Sequence, residues 1–125
     1  MKRTARVKAM QILYMMDFNQ VGIDQAIAMQ EEPDELGNAM ALFCFSHLEQ
    51  IDELISTTLQ NYTLERLNLV DKAIIRLAVS EMLANEPKEI VINEALEITK
   101  EFSDEGNHKA TSFNNRLLDN ISKKI

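Results

Sequence analysis

Between Leu69 and Leu83 ten residues are apolar: Leu69, Val70, Ala73, Ile74, Ile75, Leu77, Ala78, Val79, Met82 and Leu83. Wound into an α-helix, they cover nearly the whole circumference. A helix that is apolar nearly all round has to sit at the centre of a bundle. Its start is marked by Asn68, an N-cap residue type, with Asp71 placed to meet the free N–H groups of the first turn. The rest of a 125-residue chain then has one main task, which is to wrap this segment.

The flanking sequence has the spacing for it. Apolar residues recur at helical intervals almost throughout, and three Gly and two Pro leave too few turns for a β-barrel or sandwich. The pattern predicts helices over about Arg3–Phe18, Asp24–Glu31, Asn38–Gln60, Asn68–Leu83, Pro87–Phe102 and Thr111–Ser122. Leu42, Phe45, Leu48, Ile51, Leu54, Ile55 and Leu59 are expected on one inward stripe of the third. Pro87 suits the first position of its helix. Residues 103–108 read as a loop. The fold class is all-α, with about six to seven helices and no linker or repeat. Hydrophobic residues make up 46% of the chain, enough for a core.

Several function classes are disfavoured. No apolar run approaches the roughly 20 residues of a membrane span. The charged N-terminus lacks the pattern of a signal peptide, so a cytoplasmic location is expected. One cysteine, Cys44, allows no intrachain disulfide and no multi-thiolate metal site. Gly22, Gly37 and Gly106 are isolated and form no phosphate loop. Cys44 stands three residues from His47, but a buried apolar thiol is the simpler reading than a nucleophile. Glu49, Asp52 and Glu53 read as a solvated face. No catalytic residue, metal or cofactor is expected.

The net charge of −7 is uneven. Residues 1–8 hold Lys2, Arg3, Arg6 and Lys8 and no acid, while residues 9–65 hold ten acids and no Lys or Arg. A basic end on an acidic body can form a local phosphate site, although it can also be a plain solvated helix start. On the first helix Ala5, Ala9, Ile12, Leu13 and Met16 form the core stripe. The other side carries Arg3, Val7, Met10, Gln11, Tyr14 and Phe18 instead of a uniformly polar face. Arginine, glutamine and rings along one edge suit a single-stranded nucleic acid. Alternatively, this helix is wedged between neighbours and buried on both sides. Arg76 is also open to two readings: a packed stem with its head on a carboxylate, or a guanidinium aimed at phosphate or a partner acid.

Ordered blocks run nearly end to end: Arg3-Thr4-Ala5-Arg6, Ala9-x-Gln11-x-Leu13-Tyr14, Leu64-x-Arg66-Leu67, Val70 to Ala78, Glu81-Met82, Val91 to Ile98 with Lys100, Lys109-Ala110-Thr111, and Phe113-x-Asn115-x-x-Leu118. In these blocks the chain resembles the NusB family of bacterial transcription antitermination factors. The resemblance implies two packed helical sub-bundles, roughly residues 1–61 and 62–125. It implies binding of the boxA element of nascent ribosomal RNA jointly with NusE, a small-subunit ribosomal protein. It further implies assembly with RNA polymerase and other Nus factors, without enzymatic activity, as a monomer or homodimer. By motif position the RNA-binding residues would be Arg3, Arg6, Gln11, Tyr14, Asp71, Arg76, Lys109, Phe113 and Asn115. Asp71 would accept from a base amine or orient Arg76. Arg6→Ala is then expected to weaken RNA binding and leave the fold intact.

The last block departs from the family's usual Phe-Val-Asn-Gly-Val-Leu, since Arg116 stands where glycine is usual. It either blocks RNA or adds a phosphate contact. The competing readings are a helical protein-interaction module without RNA specificity and the targeting domain of an RNA methyltransferase, for which the chain has no catalytic domain.

Overall fold

The computed structural model describes residues 2–125. Seven α-helices follow in order: α1 (Lys2–Asn19), α2 (Ile23–Ala28), α3 (Glu35–Ser46), α4 (Leu48–Thr58), α5 (Leu69–Leu83), α6 (Lys88–Phe102) and α7 (Lys109–Ser122). A single 3-10 turn, Leu64–Arg66, precedes α5. Among the described residues there is no strand, and no helix is long and apolar enough to cross a membrane.

Helix α5 is the hub, packed by α1, α3, α4, α6 and α7. Asn68 caps it as expected: its side chain accepts from the Asp71 N–H at 2.8 Å. Ile75 and Val79 are fully buried, and burial of such a side chain stabilises by roughly 1.5–3 kcal/mol. The core is one continuous cluster that takes residues from every helix.

Helix α1 lies against α2, α3 and α5. Its expected stripe is inward, with Ala5, Ala9, Ile12 and Leu13 buried and Met16 partly so. The wedged reading holds for part of the other side, because Met10 is buried too, whereas Phe18 is 61% exposed. Close approach of α3 explains the small residues in both helices. The inward face of α3 is Gly37, Ala41 and Cys44, spaced i, i+4, i+7. A Cβ on Gly37 would stand 2.9 Å from Lys8 Cβ and 3.1 Å from the Ala5 carbonyl oxygen.

The expected helix over residues 38–60 is corrected: the chain breaks at His47 (φ −115°, ψ 18°). The cause is local. The Phe43 carbonyl, which the His47 N–H would meet in a continuous helix, accepts from Ser46 Oγ at 2.8 Å and lies 2.9 Å from His47 Nδ1. The His47 N–H turns back to the Cys44 carbonyl instead. Side chains that compete for backbone acceptors end helices in this way. Three further corrections follow. Helix α3 starts earlier, capped by Asp34 accepting from the Gly37 N–H at 2.7 Å. The single stripe is corrected too: α3 turns its Gly37, Ala41 and Cys44 face inward and leaves Leu42 and Phe45 exposed, while Ile51 and Ile55 of α4 point inward. Pro87 is the residue before α6, one position earlier than expected.

Candidate nucleic-acid interface

The nine residues carried over from the family motifs fall into four places. At the start of α1, Arg3 and Arg6 face acids from α5 and α6. Arg6 is 4% exposed. Its Nε lies 2.9 Å from both Glu81 oxygens, and a terminal nitrogen lies 3.7 Å from Glu94. Arg3 is exposed, but its guanidinium donates to Glu94 at 2.9 Å. The Arg3 hydrogen bond holds the Glu94 carboxyl below its usual range, against a smaller opposing effect of burial. Lys2 pairs with Glu86. Three of the four cations in the first eight residues are therefore already neutralised.

The second place is an open groove beside α1. Lys8, Gln11, Tyr14 and Met15 form one wall, and Met29, Gln30, Glu31 and Glu32 form the other, around about 510 Å³. Gln11 is exposed and Tyr14 half-buried. Tyr14 stacks on Phe18 with centroids 5.5 Å apart and planes at 14°. No carboxylate lies within 4 Å of Lys8 among the described residues. This groove combines a free ammonium, an amide and a partly exposed aromatic ring. It offers phosphate neutralisation, base-edge hydrogen bonding and stacking in one place. The Glu31 and Glu32 wall disfavours a backbone there, which leaves the α1 side for phosphates.

The third place is interior. Asp71 is buried, and its oxygens accept from Asn68 Nδ2 (2.7 Å), Ser103 Oγ (2.7 Å) and Asn114 Nδ2 (3.1 Å). Asn114 also donates to Thr99 Oγ1 at 3.1 Å, which joins α7 to α6. Asp71 does not orient Arg76, and its acceptor sites are occupied by protein donors. Arg76 makes a two-pronged contact with Asp52 (2.9 and 2.8 Å) and donates to Asp17 at 3.0 Å. Its side chain is 12% exposed. Burial opposes its charge, yet these two carboxylates more than offset that and raise its pKa. Of the two sequence readings, the packed stem with its head on carboxylates describes Arg76.

Fourth, Lys109, Phe113 and Asn115 are exposed on α7. The preceding loop is organised by Asp104. It accepts from the Gly106 and His108 N–H groups at 2.8 and 3.1 Å and from Thr111 Oγ1 at 2.6 Å. The Thr111 hydroxyl contributes most to holding the Asp104 carboxyl below its usual range; burial opposes it, and the two N–H groups assist. Phe113 lies 5.7 Å from Tyr62, whose ring carries the Arg66 guanidinium at 5.1 Å. Tyr62 and Arg66 were not singled out as site residues from sequence. The only available signal was Arg66 in the Leu64-x-Arg66-Leu67 block. Among the described residues no hydrogen bond or ion pair joins this cluster to Arg3 or Arg6.

Cys44 has no catalytic setting. It is fully buried, it donates to the Arg76 carbonyl at 3.5 Å, and burial pushes its thiol up to about 12.

Comparison with known proteins gives a consistent result over the whole chain. The model of the NusB family matches residues 3–123. The transcription antitermination protein NusB of Bacillus subtilis (strain 168) is 40% identical over 129 aligned positions, covering 99% of this chain and 96% of the relative. Among solved structures, T. maritima NusB superposes with a TM-score of 0.87 at 30% identity, covering 99% of this chain and 92% of that one. A crystal structure of the antitermination factors NusB and NusE in complex with dsRNA superposes with a TM-score of 0.82 at 25% identity, covering 99% and 97%.

Proposed function

Because the chain belongs to the NusB family, we propose that it is a transcription antitermination factor that binds the boxA element of nascent ribosomal RNA together with NusE. In this reading it works in the bacterial cytoplasm, on RNA polymerase with other Nus factors, and catalyses no reaction. The groove along α1 carries the proposal. It places an unpaired Lys8, the Gln11 amide and the Tyr14 ring, itself stacked on Phe18, along one open channel. Arg3, Gln11, Tyr14, Lys109, Phe113 and Asn115 reach solvent and are the residues proposed to touch RNA. Arg6, Asp71 and Arg76 support the site from beneath: they fix α1, α5 and α7 against each other.

A basic first helix docking an acidic protein is the poorer reading, since Lys2, Arg3 and Arg6 already hold carboxylates. The deciding experiment measures binding of boxA and scrambled oligonucleotides across salt, with and without NusE. Preference for boxA is expected, with log affinity falling by roughly 0.7 per log unit of salt for each phosphate neutralised. Equal affinity for both oligonucleotides in the presence of NusE rejects the proposal. Tyr14→Ala should weaken binding by roughly 5- to 150-fold, which is the value of one base stack.

A further inference from the structure

A recess of about 230 Å³ opens between α3, the C-terminal end of α5 and the start of α1. Leu36, Ala39, Met40 and Phe43 form its α3 wall, at the i, i+3, i+4, i+7 spacing of one helix face. The core-facing side of α3 is a different one, made by Gly37, Ala41 and Cys44. Leu36 and Ala39 are exposed, and Met40 and Phe43 are half-buried. The Phe43 ring packs on the His47 ring with centroids 4.3 Å apart. The recess shares no lining residue with the groove along α1.

Every polar side chain in the lining is satisfied from within the chain. Lys2 pairs with Glu86, Glu81 pairs with Arg6, and the Ser80 hydroxyl donates to the Leu77 carbonyl at 2.7 Å. The recess therefore offers an occupant apolar wall. Its volume is below the roughly 300–1,000 Å³ of sites that enclose drug-sized ligands, and it suits one large side chain. Interfaces seat their aromatic and aliphatic anchors in pockets of this kind.

Charge selects the occupant. Residues 9–65, which include all of α3, hold ten acids and no Lys or Arg. Exposed Glu35 precedes Leu36, and Glu81 and Glu86 line the recess itself. Lys2, the one cation in the lining, is spent on Glu86. A rim of this sign repels phosphate, so neither RNA nor an anionic lipid surface suits the place. A cationic protein segment with an apolar anchor matches both the rim and the wall.

We propose that the recess between α3 and the end of α5 docks a further protein partner, through a Lys- or Arg-rich amphipathic helix that seats one large apolar side chain against Leu36, Met40 and Phe43. The site goes beyond the RNA-binding reading and is open while RNA occupies the α1 groove.

The test uses the full chain and a synthetic fluorescent peptide, a helix former with Phe and Leu along one face and Lys elsewhere. Fluorescence anisotropy reads its binding to the chain alone and to the chain pre-assembled with NusE. The peptide should bind in both cases, more weakly as salt rises. A counterpart with Glu in place of every Lys should not bind. Replacing the peptide's phenylalanine by alanine, or Leu36→Ser in the protein, should each weaken binding by roughly 5- to 30-fold, the loss of one interface anchor. Leu42→Ser, comparably exposed on the same helix but outside the recess, should change nothing, and neither variant should alter boxA affinity. Absence of peptide binding, equal losses in Leu36→Ser and Leu42→Ser, or displacement of the peptide by NusE overturns the proposal. So does a dimer seen by light scattering that Leu36→Ser dissolves, since a second copy then fills the recess. Each of these results leaves the RNA-binding reading standing, and a chain that binds the peptide without preferring boxA over a scrambled sequence overturns that reading alone.

Discussion

Arg6→Ala should cost this protein much of its stability. The Arg6 and Glu81 side chains are 5% and 7% exposed, and their contacts are all near 2.9 Å. Removing the guanidinium strands a carboxylate between α1 and α5. Glu94, 3.7 Å from Arg6, cannot compensate because it is also an acid. Breaking a buried pair from one side costs about 3–5 kcal/mol, mostly through the uncompensated charge left behind. Unfolding 125 residues carries an entropy of about 0.26 kcal/mol/K, at roughly 2.1 cal/mol/K per residue. The melting temperature should therefore fall by about 12–19 °C.

The double variant Arg6→Met/Glu81→Leu separates charge burial from packing. It removes both charges and keeps apolar bulk, an exchange that is often neutral or stabilising. Its melting temperature should recover most of the loss, measured by circular dichroism at fixed protein concentration. Being folded, it also tests contact with RNA: its boxA affinity should stay within about twofold of the unmodified chain, since Arg6 does not reach the surface. The sequence alone led to the opposite expectation, weaker binding with the fold intact. A single variant that melts within about 3 °C of the parent refutes the buried-pair account, because that shift corresponds to under 1 kcal/mol.

Gly37→Ala forces a Cβ to within 2.9 Å of Lys8 Cβ and 3.1 Å of the Ala5 carbonyl. It should destabilise by about 1–3 kcal/mol and lower Tm by about 4–12 °C. The Cys44 thiol, at about 12, should react with iodoacetamide at pH 8 roughly 1,000-fold more slowly than an ordinary thiol, and normally once the chain is unfolded in urea. Glu94 and Asp104 have folded pKa values depressed below the usual 4.5 and 3.8. The stability they add is present above those unfolded values and disappears as pH falls through the lower folded ones. Melting temperature should hold from pH 7 to about 5 and drop below about 4.5, and Glu94→Gln with Asp104→Asn should flatten that drop.

The parts of this fold legible from sequence were those governed by neighbours in the chain. The Asn68 cap lies three residues from its Asp71 N–H partner, so the start of α5 could be read directly. The Ala5–Ala9–Ile12–Leu13 stripe needs only helical periodicity. The break at His47 stayed hidden because apolar spacing runs through it, while the cause is a contest among Ser46, His47 and the Phe43 carbonyl. The roles of Arg6, Asp71 and Arg76 stayed hidden for a different reason. Their partners lie 75, 43, and 24 and 59 residues away, at Glu81, Asn114, and Asp52 and Asp17. No local pattern distinguishes an arginine held by a remote carboxylate from one waiting for a phosphate. Gln11 was readable as exposed because exposure follows from its helix phase, whereas Phe113 was reached only through the family motif.

The same distinction changes what the basic N-terminus does. Counted along the chain, residues 1–8 look like the cationic footprint of an RNA site. In three dimensions Arg3 is held by Glu94, so a phosphate reaching Arg3 must displace a carboxylate of like charge. Such an exchange gains little, and it releases less counterion than binding at a free cation would. Glu94→Gln removes the competitor while keeping a side chain of the same length. If Arg3 meets RNA, boxA affinity at low salt should rise by about 1.5- to 5-fold, in line with the roughly 0.2–1 kcal/mol of an exposed pair. The salt slope should steepen by up to about 0.7 as one more phosphate is neutralised. Arg3→Ala in the Glu94→Gln background should erase both changes. If Glu94→Gln leaves affinity and slope unchanged, Arg3 is a structural tie between α1 and α6, and the RNA path is confined to the free cations at Lys8, Arg66, Lys109 and Arg116.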